Sequence, residues 1–384
     1  MVSASEFDEL IEVLRDFIRR EVMPAEAGID ESDEIPERLI AQAKEMGLYG
    51  YALPTEYGGL GLSVEQQIQV TMELGYTSPA FRSLFGTNNG IAGQVLVMGG
   101  TDEQRKHWLP RLASGEVVAS FALTEPDAGS DPTSLVTSAR LDGDGWVIDG
   151  LKRYITNAPA ADVFMVFART DPDAPRGKGI GVFIVPAGRG VSVAARDHKM
   201  GQAGAWTADV SFSGVRVPGD ALIGEAAAAG YATAMRSLAH GRLVIAAMCV
   251  GVAARLIDES VSYAKERIQG GHPIGEYQLV QAMLADSQTE YLAARALVLD
   301  AAARYGAGVD RRLGPSAAKY FASEAVGRIA DRAVQIHGGS GYMRGVPVER
   351  LYRDVRLFRI YEGTSQIQQL VIARQLLAAE PKGT

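Results

Sequence analysis

One cysteine, five histidines and no long block of Lys or Arg: these scarcities in a 384-residue sequence remove several function classes at once. The lone Cys249 lies in an apolar run, residues 244–252, so no intrachain disulfide can form, and a reducing compartment with a packed core thiol is expected. His107, His198, His240, His272 and His337 show no metal-ligand spacing, and a single cysteine cannot build a thiolate cluster, so no metal site is expected. Neither Gly-x-Gly-x-x-Gly nor a phosphate loop ending in Gly-Lys-Ser/Thr occurs. The nearest approximation, residues 177–181, precedes a strand-like run and reads as a solvated hairpin loop, which leaves a nicotinamide-binding Rossmann fold without an anchor. No Gly-x-Ser-x-Gly elbow supports a serine hydrolase. A net charge of -8 argues against a nucleic-acid partner. No uninterrupted apolar stretch reaches membrane-spanning length. The acidic opening (Glu6, Asp8, Glu9, Glu12) lacks the basic-then-apolar order of a signal peptide, so no membrane span and a cytoplasmic location are expected.

What is present falls into three textures. Up to about residue 120 the pattern is helical: Phe7, Leu10, Leu14, Phe17 and Val22 keep to one helix face, Ser3 or Ser5 can cap it, and Pro36 stands where a further helix begins. Glycines 58, 59 and 61 break that zone with a loop. Residues 121–229 read as short strands divided by turns, with a turn signal at 142–145, a β run at 181–185, and alternation through Val210, Phe212, Val215 and Val217. No helix-length segment separates these strands, so a compact β-barrel or sandwich is expected rather than parallel β-α-β units. From residue 230 to 384 helix returns. Leu243, Ala247, Val250, Ala254, Ile257, Val261, Ala264 and Ile268 form an unbroken bundle seam, with partner helices expected over 278–305 and 316–336. The expected class is therefore α+β and multidomain: an N-terminal helical domain (1–120), a middle β-barrel domain (121–229) and a C-terminal four-helix-bundle-like domain (230–384).

Four segments hold the residues that can carry chemistry. Residues 359–368, RIYEGTSQIQ, set Glu362 on a corner between Tyr361 and Gly363, beside small hydroxyl and amide residues, as a candidate base. Residues 121–131, FALTEPDAGSD, stand at the helical-to-β junction; Gly129 and Ser130 can bring backbone amides close to a bulky polar ligand, and the same residues serve equally as a capped turn. Residues 152–157, KRYITN, place Tyr154 and Thr156 two apart on one strand face, either to stack on and hydrogen-bond a planar ring or to pack the barrel. Residues 335–342, QIHGGSGY, end a helix in a glycine cluster, while Arg267 in the last turn of the seam helix reads as a pyrophosphate clamp or as a dipole complement. Arg350, Arg353, Arg356 and Arg359 form a stripe that Glu349 and Asp354 can neutralise, and no catalysis is assigned to it. Trp206 and Arg82 read as packing and solvated charge, with a part in the pocket as the alternative.

In this order the four blocks resemble the acyl-CoA dehydrogenase family, and the resemblance spans essentially the whole chain. It implies FAD held between the middle and C-terminal domains, and oxidation of an acyl-CoA thioester to a trans-2-enoyl-CoA, the chemistry of fatty-acid β-oxidation. It also implies an electron-transferring flavoprotein as acceptor and a homotetramer. By the same resemblance Phe121, Leu123, Thr124, Gly129 and Ser130 contact flavin, with Ser130 also near the pantetheine arm, and Tyr154, Ile155 and Thr156 lie against the isoalloxazine. Arg267, Gln278, Gln335, Gly338 and Gly339 match positions holding the FAD diphosphate and adenosine, often across a subunit contact, and Thr364 and Gln366 match further cofactor contacts. Arg242 and Arg374 match CoA-side positions, Tyr361 and Gly363 neighbour the substrate, and Glu362 matches the catalytic base, with flavin N5 accepting the β-hydride. A subset of relatives carries the base just before the residue matching Arg242, but Gly241 stands there. Ala239 and Gly270 depart from an acid and a Phe common in the family. The rival readings are an acyl-CoA oxidase, whose usual extra C-terminal domain has no room in this chain, a relative diverted to another thioester reaction, and a catalytically silent acyl-CoA-binding homologue.

Overall fold

A computed structural model describes residues 2–224 and 226–378. The first helix, α1 (Ala4–Phe17), starts on Ser3 with a reciprocal cap: its side chain accepts from the Glu6 N–H while the Glu6 carboxylate accepts from the Ser3 N–H. A wide π-helical turn carries it into α2 (Met23–Ser32), and α3 (Glu37–Glu45) follows Pro36. The loop containing Gly58 leads to α4 (Val64–Leu74), α5 (Pro79–Asn89), α6 (Ile91–Gly99) and α7 (Asp102–Ser114).

Seven strands come next: β1 (Ala119–Ala122), β2 (Ser138–Asp142), β3 (Gly145–Thr156), β4 (Val163–Arg169), β5 (Ile180–Pro186), β6 (Val191–Val193) and β7 (Thr207–Pro218). They form one sheet, in the order β1-β4-β2-β3-β7-β6 with β5 paired to β4. The pairings are antiparallel except β1 with β4 and the single-residue register of β2 with β4, which are parallel and need no crossover helix. The buried side chains on this sheet include Ile148, Phe164, Val166, Phe183 and Val210, every one of which is under 1% exposed.

The C-terminal part is built on α8 (Gly230–Glu266), α9 (Gln278–Gly306) and α10 (Leu313–His337), completed by α11 (Pro347–Val355) and α12 (Ser365–Ala378). The helical, β, helical order matches the expectation. The seam is shorter than its periodicity suggested: α8 stops at Glu266, and Ile268 is 51% exposed in a hairpin of β8 (Ile268–Gln269) and β9 (His272–Pro273). Gly270 and Gly271, both at positive φ, form the turn that ends it. Helix α8 is long and apolar enough to cross a bilayer, yet 89% of its most apolar window is buried within the protein. Cys249, at its centre, is a buried free thiol whose pKa burial pushes up.

Three polar ties fix the parts around one cleft. Asn157, at the end of β3, donates through Nδ2 to the carbonyls of Ser83 and Leu84 and to Thr87 Oγ1, all on α5. Asn88 of α5 joins α7 to β1 through Leu112 O, Val117 O and the Ala119 N–H. Three of the four arginines of the stripe are held in ion pairs: Arg350 with Glu26 at 2.5 Å, Arg353 with Asp30 at 2.8 Å and with Glu349, and Arg359 with Glu324. Two of these pairs bind α2 to α11, which leads into the Glu362 corner.

Candidate active site

The corner between α11 and α12 is made by backbone conformation. Glu362 has φ 55° and Gly363 φ 87°, a left-handed pair that reverses the chain direction. Such a conformation costs a non-glycine residue about 1–3 kcal/mol and persists only where its surroundings impose it. Here they do: Gln368, 0% exposed, donates through Nε2 to the carbonyls of Glu362 and Gly363, and Lys319 of α10 donates to Gly363 O at 2.7 Å. Thr364 Oγ1 accepts from the Ile367 N–H at the start of α12, and Ser365 is tied to Glu324.

The carboxylate that this corner presents is held without a partner. Glu362 Oε2 is buried and accepts no hydrogen bond from the described residues, and Gly241 of α8 leaves the room it occupies. Burial pushes the Glu362 carboxyl above its ordinary range, opposed by the positive charges of Arg82, Arg242 and Lys319. The N–H of Glu362 has no acceptor among the described residues. A desolvated acid with a raised pKa beside a free backbone donor is equipped to take a proton from carbon while a neighbouring oxygen gains charge.

This group opens on a cleft of about 670 Å³, within the usual size of a small-molecule site. One wall is β1, the loop after it and the end of β3, contributing Phe121, Leu123, Thr124, Gly129, Ser130, Tyr154, Ile155 and Thr156. The other is α8 and the α11–α12 corner, contributing Arg242, Tyr361, Glu362, Gly363 and Arg374. All thirteen stand around the one cleft. Tyr154 gets there by a route its strand position did not suggest: a register irregularity after Lys152 puts it at φ 58°, so the backbone bulges and its ring is 65% exposed toward the cleft. Arg242 is mostly buried, its Nε without a partner and its Nη1 donating to Ser316. Burial presses its pKa down, and Glu362 and Tyr231 counter that.

Residues beyond those singled out from the sequence make the wall rigid. Lys152 and Glu125 form an ion pair of 2.7 Å, 0% and 2% exposed at the side chain, and Glu125 also accepts from the N–H groups of Val136 and Thr137. Lys152 further donates to Leu123 O, so the 123–137 loop is stapled to β3. Burial works against the Glu125 charge, but Lys152 and the loop donors outweigh it and its pKa falls below the ordinary value. Both residues lie inside blocks read from the sequence, yet no local pattern marks them as partners. Arg176, paired with Asp131, and Tyr231 also line the cleft.

Five of the residues proposed for a cofactor lie elsewhere. Arg267, Gln278, Gln335, Gly338 and Gly339 are exposed where α8 and α10 end and α9 begins, a region joined by the stacked rings of Tyr263 and His337 at 4.2 Å. Thr364 caps α12 and Gln366 is exposed on its first turn; neither lines the cleft. The residues on the cleft fit a planar, polar-tailed group such as FAD: an aromatic ring turned outward, an open loop where a β-carbon added at Gly129 would meet nothing within 4 Å, and an orphaned buried carboxylate oxygen opposite.

Comparison with known proteins agrees with this layout. The family models described as the N-terminal, middle and C-terminal domains of acyl-CoA dehydrogenase match residues 4–116, 120–215 and 228–377. The chain is 40% identical to a 3-(aryl)acrylate reductase of Clostridium sporogenes, over 97% of this chain and 99% of that protein. It is 38% identical, over 97% and 99% of the two chains, to the CarC subunit of a caffeyl-CoA reductase–Etf complex of Acetobacterium woodii. Its structure superposes on butyryl-CoA dehydrogenase from Megasphaera elsdenii with a TM-score of 0.93, at 31% identity and covering 98% and 99% of the two chains.

Proposed function

Since this chain belongs to the acyl-CoA dehydrogenase family, we propose that it oxidises the α,β bond of an acyl-CoA thioester with Glu362 as the base. It is an FAD-dependent oxidoreductase acting on a CH–CH pair. The observation that carries the residue assignment is the unpartnered, buried Oε2 of Glu362 facing the wall formed by β1 and β3.

Bound FAD supplies the acceptor for the β-hydride, at N5. Glu362 takes the α-proton, and its raised pKa brings its basicity nearer neutral pH. The free N–H of Glu362 is the donor proposed for the thioester oxygen as negative charge develops there. Lys319 and Gln368 hold that N–H and the carboxylate in one rigid turn. Tyr154, Ile155, Thr156 and the 121–130 segment are the flavin-side surface, and Arg242 and Arg374 the cations for the CoA arm. Arg267, Gln278, Gln335, Gly338 and Gly339, remote from Glu362, serve the diphosphate and adenosine of a cofactor bound by a neighbouring copy, within a homotetramer. Thr364 and Gln366 are assigned to that same cofactor.

Anaerobic titration with an acyl-CoA panel tests this. The wild-type flavin bleaches; Glu362→Gln keeps its FAD but loses bleaching by a factor on the order of 10²–10⁴. Full-rate bleaching in that variant would defeat the assignment, and a protein purified without colour would favour a silent homologue.

The names of two relatives support a second reading, in which the working direction is reduction of a 2-enoyl thioester. Glu362 then returns the proton it would otherwise remove, since forward and reverse reactions share one transition state. Reoxidation of the pre-reduced enzyme by enoyl-CoA, compared with its bleaching by the saturated thioester, decides between them. An electron-transferring flavoprotein is the proposed partner, as in the complex of the A. woodii relative, and peroxide formation in air would indicate an oxidase instead. A cytoplasmic location is proposed, in keeping with the reduced thiol of Cys249.

A further inference from the structure

A second cavity, of about 520 Å³, lies away from the catalytic cleft and shares none of its lining residues. It sits where α4 and α8 meet through glycine. A β-carbon added at Gly75 would stand 2.6 Å from Met248 O, and one at Gly251 would stand 2.6 Å from Gly75 Cα, so the two backbones touch with no side chain between them. Helices α1 and α9 each pack on α4, and the groove beside the crossing stays open with residues of all four helices on its walls. Its volume is that of a small-molecule site.

Ile11, Met72, Val250 and Ala254 supply apolar lining. The charged lining is three arginines and two carboxylates, a positive balance in a chain whose net charge is -8. Both carboxylates are already committed. Glu73 is held by the Nε and Nη2 of Arg15, at 3.2 and 2.6 Å, and Asp258 accepts from the Tyr76 hydroxyl at 2.6 Å. Arg19 and Arg295 are left without a hydrogen-bond or ion-pair partner among the described residues. Arg19, on the π-helical turn after α1, lies over the Tyr76 ring at 4.8 Å, a contact that holds it at the groove without using its N–H groups. Arg295 reaches the same groove from α9, one turn after Tyr291, whose ring has no aromatic or cationic partner among the described residues. Gln69 of α4 and Gln288 of α9, both exposed, add two amides.

An inorganic anion would engage one guanidinium and leave most of that volume to water. A purely apolar guest would strip water from two guanidinium groups and return no acceptor, a large penalty for charged groups. A guest with phosphate oxygens for the two forks, a planar ring for Tyr291 and polar edges for the amides meets every group left over. We infer that this groove binds a nucleoside diphosphate, its phosphates on Arg19 and Arg295, its base against Tyr291 and within reach of Gln69 and Gln288. No bond is made or broken there. The inference goes beyond the oxidoreductase reading and does not depend on it.

Isothermal titration calorimetry of the FAD-loaded protein with ADP tests it, with adenosine and inorganic pyrophosphate as the two halves of the ligand. FAD fills the cofactor site throughout, and a parallel titration at saturating 2-enoyl-CoA fills the substrate cleft. ADP is expected to bind in both conditions, and more tightly than either half. Arg19→Gln and Arg295→Gln, both at exposed positions, are each expected to weaken ADP about 10-fold or more, the effect of losing a hydrogen bond to a charged group, while FAD content and Tm stay at the wild-type values. No binding, binding that enoyl-CoA abolishes, or binding that both substitutions leave intact would overturn the inference. Pyrophosphate binding as tightly as ADP would overturn it too, by making the groove a site for anions alone. A failure of the flavin to bleach leaves the result readable, since ADP binding is measured without turnover.

Discussion

Gly241 and Glu362 occupy adjoining space: a β-carbon on Gly241 would stand 2.8 Å from Glu362 Oε2, closer than such contacts occur. The carboxylate depends on a missing side chain. Alanine favours an α-helix over glycine by about 1 kcal/mol, so Gly241→Ala should not destabilise α8 through its backbone. It should instead displace the base. We expect FAD absorbance to be retained and turnover to fall about 100-fold, the usual consequence of a misplacement near 1 Å. Unchanged turnover would show that the carboxylate does not work from this position.

The raised pKa of Glu362 has two consequences with opposite experimental signs. Activity in the oxidative direction should decline toward acid with a midpoint above about 4.3, the ordinary glutamate value. Because Arg82 pulls this carboxyl down, Arg82→Met should move the acid limb to higher pH. Stability runs the other way. A carboxyl whose folded pKa exceeds its unfolded one stabilises the fold below the unfolded value, and that contribution is lost as pH rises through the folded value. Glu362→Gln should therefore melt at a higher temperature than wild type at pH 7, the gap closing in acid, as scanning calorimetry across pH can establish.

Glu125 and Lys152 support the flavin-side wall from beneath. Removing one member of a wholly buried pair strands the other charge at a cost of about 3–5 kcal/mol, whereas replacing both with apolar residues costs far less. Glu125→Gln should lower both Tm and FAD occupancy, and Glu125→Leu combined with Lys152→Met should recover only part of the Tm, because the Val136 and Thr137 N–H groups still lose their acceptor. The depressed pKa of Glu125 means that its stabilising contribution is present above the unfolded carboxylate value and is lost as pH falls through the folded one. A double variant no more stable than the single one would refute the pairing as the cause.

Arg267 tests the remote cluster. Arg267→Ala should reduce FAD retention measured by absorbance ratio, while leaving Glu362 and its turn as they are. If flavin content is unaffected, the exposed group at the ends of α8 and α10 has no part in holding a cofactor.

The blocks around Glu362, residues 121–131 and residues 152–157 were legible because their turn residues and small side chains are unusual within helical or β patterns. The order of textures likewise exposed the three-part layout. What stayed hidden depends on distant chain segments meeting. Arg82 reads locally as one more helix-surface charge, and only the approach of α5 to α8 and to the 360–364 corner turns it inward. Lys319 sits among alanines on α10 with nothing nearby to mark its hydrogen bond to Gly363. Ile268 fits the seam by spacing alone, but Gly270 and Gly271 turn the chain before packing can use it. The outward ring of Tyr154 comes from a pairing irregularity with β7 that a single strand does not encode.

Helix α8 acts as a ruler. From Gly241 to its end at Glu266 it runs roughly 38 Å at about 1.5 Å per residue, so the catalytic recess and Arg267 are held at a fixed and large separation. On the assignment proposed above, the isoalloxazine against Tyr154 and the Arg267 of the same chain belong to opposite ends of α8. Each copy would then complete a neighbour's cofactor site and rely on another for its own. In a mixed assembly, a chain defective at Arg267 would impair its partner's chemistry while its own base remained competent.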